Sequence, residues 1–326
     1  MIKRTIDIAQ QPVHLTTRDQ QLLLLAKDAE PRRLPAQPPN LLASIPCEDI
    51  GVLLVDQPAT TYSHAALARL LEHDAAVVIC GRDHLPAGLL LPIGEHSQVV
   101  WRLRDQLAAP KPLRKRLWQQ LIRAKIRAQA ANLPSGHATR TRLLAMAREV
   151  RSGDPDNCEA QAARSYWSAW YQDASDDPRH GFRRDPDGDG VNALLNYGYA
   201  VVRAAVARAI VAAGLLPAIG IKHRHRANAF CLADDLVEPL RPFVDRAVAD
   251  LVRAGTLEIG PQTKPALLGI LTLEVACGGQ SGPLMVALHR YAASLVACFE
   301  RTAQRLAIPT PAGPADAPEA DETPCI

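Results

Sequence analysis

A switch in hydrophobic period near residue 96 constrains the fold of this chain more than any other feature. Up to about residue 95, short apolar runs alternate with turn residues: Val13-His-Leu-Thr-Thr17, Gln21-Leu-Leu-Leu-Leu25, Leu41-Leu-Ala-Ser-Ile45, Gly51-Val-Leu-Leu-Val55 and Ala75-Ala-Val-Val-Ile79. Runs of this length, bounded by turn signals, read as strands. Ser63 suits the N-cap of one intervening helix over 64–73. From about residue 99 the period becomes helical, with segments near 99–108, 111–132, 139–150, 155–172, 190–214, 234–254, 265–277 and 283–305. The expected fold class is α+β: an N-terminal β-sheet domain (1–96), then a larger all-α domain (97–308). The Pro/Ala-rich stretch 309–326 has no apolar period and is expected to be disordered.

Several function classes fall away. The chain has 326 residues, 48% of them hydrophobic, enough for two cores. Its apolar runs fall far short of the roughly 20 residues of a membrane span, and Asp7 interrupts the start before a signal-peptide core can form, so a cytoplasmic protein without membrane partners is expected. The seven cysteines contain no C-x-x-C pair and read as reduced, mostly buried thiols. No G-x-G-x-x-G or G-K-[ST] loop argues for a nucleotide cofactor, and no G-x-S-x-G for a serine nucleophile. The net charge of +3 hides an asymmetry: thirteen Lys or Arg between Arg102 and Arg151 face only Asp105 and Glu149. Such a segment is either a polyanion site or a solvated helical face.

Two segments carry chemistry. In Gly153-Asp-Pro-Asp-Asn-Cys-Glu159, Asp154 can cap a helix and Pro155 suits its first position. Glu159 then shares a stripe with Ala162, Ala163 and Tyr166. A carboxylate on such a face needs a cation, either an arginine such as Arg164 or a metal. In the second segment, Gly220-Ile-Lys-His223-Arg-His225-Arg-Ala-Asn228 leads into Asp234-Asp235-Leu-Val-Glu238-Pro-Leu-Arg241. Asp235 and Glu238, three apart, project on one helix face, and an upstream imidazole could complete a mixed N/O site for manganese or magnesium. The competing reading has Asp234 as N-cap, Asp235 and Glu238 as first-turn acids, and Arg241 pairing with one of them. Asp185-Pro-Asp-Gly-Asp-Gly190 begins like a calcium loop but has Asn196 where the bidentate Glu belongs, so it reads as a turn before a helix near Gly190.

Taken in order, the segments resemble a family. Ile45-Pro-Cys-Glu-Asp-Ile-Gly-Val-Leu-Leu-Val55, Leu85-Pro-Ala-Gly-Leu-Leu-Leu-Pro92, the stretch 118–133, the Glu159 segment ending Tyr166-Trp167, Asn192-Ala-Leu-Leu-Asn-Tyr-Gly-Tyr199, Gly220-Ile-Lys-His223 and Asp235-Leu-Val-Glu-Pro-Leu-Arg-Pro242 are similar to motifs of the CRISPR-associated integrases, the Cas one proteins, in their type II (II-C) form. The resemblance implies a metal-dependent DNA endonuclease and integrase that inserts spacers into a CRISPR array, the 3′-hydroxyl of a short duplex attacking a repeat phosphodiester. It puts the catalytic and metal-ligating roles on Glu159, His223 and Glu238, with Asp235 as an additional or supporting acid and Mn2+ or Mg2+ as the ion. Lys222 and His225 depart from the family pattern, which leaves His225 as a rival imidazole. The implied partners are prespacer and repeat duplex DNA, a second copy of the chain, the small Cas two protein in a heterohexamer, and the RNA-guided effector nuclease. Arg114, Lys115, Arg116, Arg123, Lys125, Lys222, Arg224, His225 and Arg226 become candidate DNA contacts. A structural DNA-binding subunit and a general nuclease for branched DNA are the alternatives.

Overall fold

The computed structural model describes residues 3–27, 40–82, 84, 86–92, 97–170, 182 and 184–312. The first part is built from two four-stranded sheets. In one, β1 (Arg4–Ile8), β5 (Ile50–Val55) and β7 (Ala76–Cys80) run parallel, and β8 (Pro86–Leu90) closes the edge antiparallel to β7. In the other, β4 (Leu41–Pro46), β3 (Gln21–Ala26) and β2 (Val13–Arg18) form an antiparallel meander with the two-residue β6 (Thr61–Tyr62) beside β2. Asp19 and Gln20, both at positive φ, make the tight β2–β3 hairpin turn whose twist matches the strands. Helix α1 (His64–Glu72) starts where Ser63 accepts a hydrogen bond from the Ala66 N–H, as its sequence predicts.

Strand β5 explains its own unbroken apolar run. Leu53 and Val55 pack with Ile8, Leu15, Leu22, Leu70 and Val77 between the two sheets, while Val52 and Leu54 join the helical core on the opposite face. A strand buried on both faces has no polar alternation. The expected boundary at 96/97 adjoins residues 93–96, outside the described set.

The helices are α2 (Val99–Ala108), α3 (Lys111–Ala131), α4 (Ala138–Glu149), α5 (Cys158–Trp170), α6 (Val191–Ala212), α7 (Cys231–Val237), α8 (Arg241–Arg253), α9 (Lys264–Gly269) and α10 (Leu284–Phe299). Helix α6 is long and apolar enough to cross a membrane by length and composition, but 78% of its most apolar window is buried in the protein, as in a core helix. Its Gly198 lies against α8, where a Cβ would collide with Val244 Cγ1. Cys47, Cys158, Cys231, Cys277 and Cys298 are buried free thiols and Cys80 is half-buried and free, whereas Cys325 lies outside the described residues.

Three expectations for the second part and the stretch after it are corrected. The segment 265–277 is helical only through α9 and a 3-10 turn (Ile270–Thr272); it then becomes strand β9 (Glu274–Cys277), which turns at Gly278 and Gly279, both at positive φ, into β10 (Gln280–Pro283). Two consecutive glycines supply the φ > 0 pair that a tight hairpin needs. Strand β11 (Thr310–Pro311) adds to β9 inside the stretch expected to be disordered, while 313–326 lie outside the described residues. The segment 234–254 is broken by a 3-10 turn (Glu238–Leu240) between α7 and α8, where Pro239 lacks the N–H a continuous helix would use.

Candidate metal centre and its supports

Glu159 enters the site from the first turn of α5. The helix begins at Cys158, not 155, because Asp154 and Asn157 take left-handed backbone conformations, and Asp154 caps it by accepting from the N–H groups of Cys158 (2.8 Å) and Glu159 (3.1 Å). Glu238 enters from the 3-10 turn, which packs against α3. The two carboxylates meet on a single cation: Lys125 of α3, 8% exposed, donates to Glu159 Oε1 at 2.7 Å and to Glu238 Oε2 at 2.5 Å. Arg164, the partner considered for Glu159 from sequence, is exposed and donates to the Ala160 carbonyl of its own helix. Arg241 does stand beside Glu238, its Nε 3.1 Å from Oε1, within ion-pair range but not aligned for a hydrogen bond.

These charges tune one another. Burial would push the Glu238 carboxyl up, but Arg241 and then Lys125 outweigh it and hold it below the usual glutamate range. Burial would push Lys125 down, but Glu238 and then Glu159 keep it above the ordinary lysine value. In the centre without an ion, Lys125 and Glu238 therefore stand as a buried ionised pair.

His223 lies on the loop between α6 and α7, and Asp235 of α7 decides its orientation. Asp235 is fully buried. It accepts from the N–H groups of Ile221 (2.5 Å), Lys222 (3.0 Å) and His223 (3.2 Å), and faces His223 Nδ1 at 2.7 Å. A carboxylate can only accept, so Nδ1 carries the proton and Nε2 is turned outward. The hydrogen bond to Asp235 raises the imidazole pKa against the effect of burial. Trp118 packs edge-on against the ring, 5.8 Å between centroids. His225 is exposed, without such an anchor among the described residues. Asp234, the expected cap, instead pairs with Arg203 (2.5 Å) and accepts from Asn228 (2.6 Å), tying down the far end of the loop.

Two candidate DNA contacts are already engaged within the fold. Lys125 is engaged by the glutamates, and Arg114 by the backbone: its guanidinium donates to the carbonyls of Ala109 (3.1 Å), Gly220 (2.8 Å) and Gln106 (2.8 Å). Turning Arg114 out to a phosphate would leave three partly buried carbonyls without their donor. Gln106, fully buried, completes that clamp by donating to Leu216 and Ile219 carbonyls, so the histidine loop is positioned by Arg114, expected as a DNA contact, and by Gln106, which the sequence did not single out. Arg123 is half-buried and donates to the Arg148 carbonyl. Lys115, Arg116, Lys222, Arg224, His225 and Arg226 remain exposed. The signal for Lys125 is present in the sequence: it interrupts the stripe Leu121, Ile122, Ile126 and Gln129, and a lysine on a buried stripe implies a buried anion.

The calcium-like loop is a structural turn. Asn196 donates to the Pro186 carbonyl and Asn192 accepts from the Asp185 N–H, and α6 begins at Val191.

Behind Arg241, Asp245 is 1% exposed and accepts from the Tyr199 hydroxyl. Burial lifts its carboxyl from 3.8 to about 7, although the Tyr199 and Tyr166 hydroxyls and Arg241 pull the other way. Between about pH 4 and pH 7 this group is protonated in the folded chain and ionised in the unfolded one, so its contribution is present at low pH and lost as pH rises through 7. Asp245→Asn is expected to remove that loss: melting curves across this range will show the variant gaining several degrees on the wild type toward neutral pH. Parallel profiles would contradict it.

The family described as CRISPR associated protein Cas1 matches residues 8–264. A CRISPR-associated endonuclease Cas1 from Neisseria meningitidis serogroup C (strain 8013) is 38% identical over 271 residues, covering 82% of this chain and 86% of that protein. Among solved structures, a casposase bound to integration product superposes with a TM-score of 0.76 at 19% identity, covering 94% of this chain and 93% of the other. A chain of a Cas6-RT-Cas1–Cas2 complex superposes at a TM-score of 0.71 and 19% identity, covering 93% of this chain and 35% of that one. At these identities the structural likenesses concern the fold.

Proposed function

The chain belongs to the Cas1 family of CRISPR-associated proteins, and from that premise we propose that it is the metal-dependent integrase of type II-C spacer acquisition, with Glu159, His223 and Glu238 as its metal ligands. The carrying observation is the convergence of Glu159 and Glu238, from separate elements, on one cation within 2.7 Å. The donor set fits a divalent ion: two carboxylate oxygens and an imidazole Nε2 whose ring is fixed by a buried acid suit Mn2+ or Mg2+. Three metal-ligating side chains are not already clustered among the described residues, where Lys125 stands between the two glutamates.

When bound, the ion would stabilise charge on the phosphoryl oxygens and favour the ionised 3′-hydroxyl, so that no protein nucleophile is needed. The chain's residues supply the rest. Arg241 keeps the second oxygen of Glu238 occupied, Asp235 holds the imidazole, and the Gln106–Arg114 clamp fixes the loop that carries it. Exposed Lys222, Arg224, His225 and Arg226, on that same loop, would take the phosphates flanking the reacting one, with Lys115 and Arg116 as further contacts on α3. In the reaction, the 3′-oxygen of a prespacer strand bonds to phosphorus at the repeat edge, the P–O bond to the 3′-oxygen of the adjoining array nucleotide breaks, and that oxygen leaves as a 3′-hydroxyl while the attacking hydroxyl gives up its proton. A homodimer and a Cas2 partner in a heterohexamer are part of the proposal, supported by the likeness in fold to a chain solved in complex with Cas2, as is cooperation with the RNA-guided effector nuclease.

The test is a joining assay with the purified chain, its Cas2 partner, a prespacer duplex and repeat DNA in Mn2+ or Mg2+. Joined strands are expected. Cleaved strands alone would favour a branched-DNA nuclease, and DNA binding without chemistry a structural subunit.

A further inference from the structure

Among the described residues, Lys125 is the one group that donates to both glutamates. Two buried or half-buried carboxylates that face each other repel, and each would splay or take up a proton if nothing positive stood between them. Lys125 prevents that. Its ammonium lies where Glu159 Oε1 and Glu238 Oε2 converge, the place between the two carboxylates where a divalent ion held by both would sit. Lys125 and such an ion cannot share that place.

The surroundings allow an exchange. Glu238 divides its oxygens: Arg241 faces Oε1 and Lys125 takes Oε2, so withdrawal of the ammonium frees one oxygen while the other keeps the carboxylate in place. Glu159 has 27% of its side chain exposed, which leaves the centre open to solvent on that side. An acceptor also waits one turn further along α3. Gln129 is 3% exposed, and its Oε1 is buried with no hydrogen-bond partner among the described residues. Positions i and i+4 of a helix lie side by side, so a flexible four-carbon stem can swing its ammonium from the glutamates to that oxygen.

We propose that Lys125 is a positioning residue that holds the cation place of the ion-free centre and is exchanged for the divalent ion on loading, moving toward Gln129. Metal binding is then a replacement of one cation by another. Lys125 keeps the two carboxylates aligned beforehand and limits affinity by competing for them, so that ions weaker than the intended one fail to displace it. This inference rests on the assignment of Glu159 and Glu238 as metal ligands.

The direction of the change in metal affinity separates this role from simple support of the fold. If Lys125 only supported the site, removing its charge would let the carboxylates splay and weaken metal binding. If it competes, the same change strengthens binding although the ion-free protein is less stable. Calorimetric titration of the full chain with Mn2+ alone, at fixed pH, reads affinity directly, and melting with and without Mn2+ reads stability. Lys125→Met is expected to melt lower than wild type without metal, to bind Mn2+ about tenfold more tightly, and to show a larger Mn2+-induced rise in Tm. Lys125→Arg keeps the charge but carries a wider, planar head that fits poorly beside Gln129, so it is expected to melt near wild type and bind Mn2+ more weakly. Gln129→Leu, which removes the receiving oxygen, should also weaken Mn2+ binding. Unchanged or weaker binding in Lys125→Met overturns the proposal. Should that variant not fold, Lys125→Arg binding as tightly as wild type overturns it. Failure of the ligand assignment looks different: Glu159→Gln would then bind Mn2+ as wild type does.

Discussion

Glu159→Gln is expected to lower metal-dependent strand joining by about 10^3-fold or more while leaving the melting temperature within a few degrees of wild type. A ligand that helps hold an ion contributing several kcal/mol to the transition state is worth about that factor in rate. Glutamine preserves the volume and offers Lys125 a neutral acceptor, and Glu159 is exposed enough for water to replace part of what the ion pair supplied. Glu238 is the poorer probe because it is 5% exposed and faces both Lys125 and Arg241, so neutralising it strands two cations and damages the fold together with the chemistry. Gel separation of joined and unjoined strands gives the rate, and circular dichroism on the same preparation gives the melting temperature. Joining at the wild-type rate would remove Glu159 from the ligand set.

Asp235→Ala is expected to be the most damaging single change near the site, although its side chain need never touch an ion. It would leave the N–H groups of Ile221, Lys222 and His223 without their acceptor and release the His223 ring. Removing a buried, multiply bonded carboxylate of this kind costs about 3–5 kcal/mol. Among variants stable enough to study, loss of the carboxylate behind a ligating histidine weakens metal binding about 10- to 100-fold. Asp235→Asn tests the argument more finely. One oxygen still accepts from part of the loop, but the amide NH2 meets N–H donors, so roughly half the destabilisation should remain. Urea unfolding and Mn2+ titration of both variants check these expectations, and an alanine variant as stable as wild type would refute the account of the loop.

Much of the architecture is legible because it follows from neighbours in sequence. Strand β3 and helix α1 announce themselves through a short apolar run and a capping serine, and Asp154 announces the start of the Glu159 helix even though two left-handed residues delay it. Strand β1 escapes such a reading because Arg4–Ile8 mixes charge with short apolar steps and is held by its partner β5. Strand β9 reads as helix from its period, although the Gly278-Gly279 pair after it carries a hairpin signal.

The charges divide in the same way. Sequence alone determined which acids could matter: Glu159 on an apolar stripe, and Asp235 and Glu238 three apart beside a proline. Of the cations that face them in the structure it offered only Arg241, three residues from Glu238 along the chain. Lys125 and Arg114 look like members of one basic segment, yet one is buried between two glutamates and the other is bound to carbonyls of α2 and the histidine loop. Asp235 and Glu238 look equivalent, yet one anchors an imidazole and the other faces a cation. Periodicity, caps and turns are properties of a few consecutive residues and so are written in the sequence. The partner of a buried charge depends on which distant elements pack around it, and only the tertiary structure decides that.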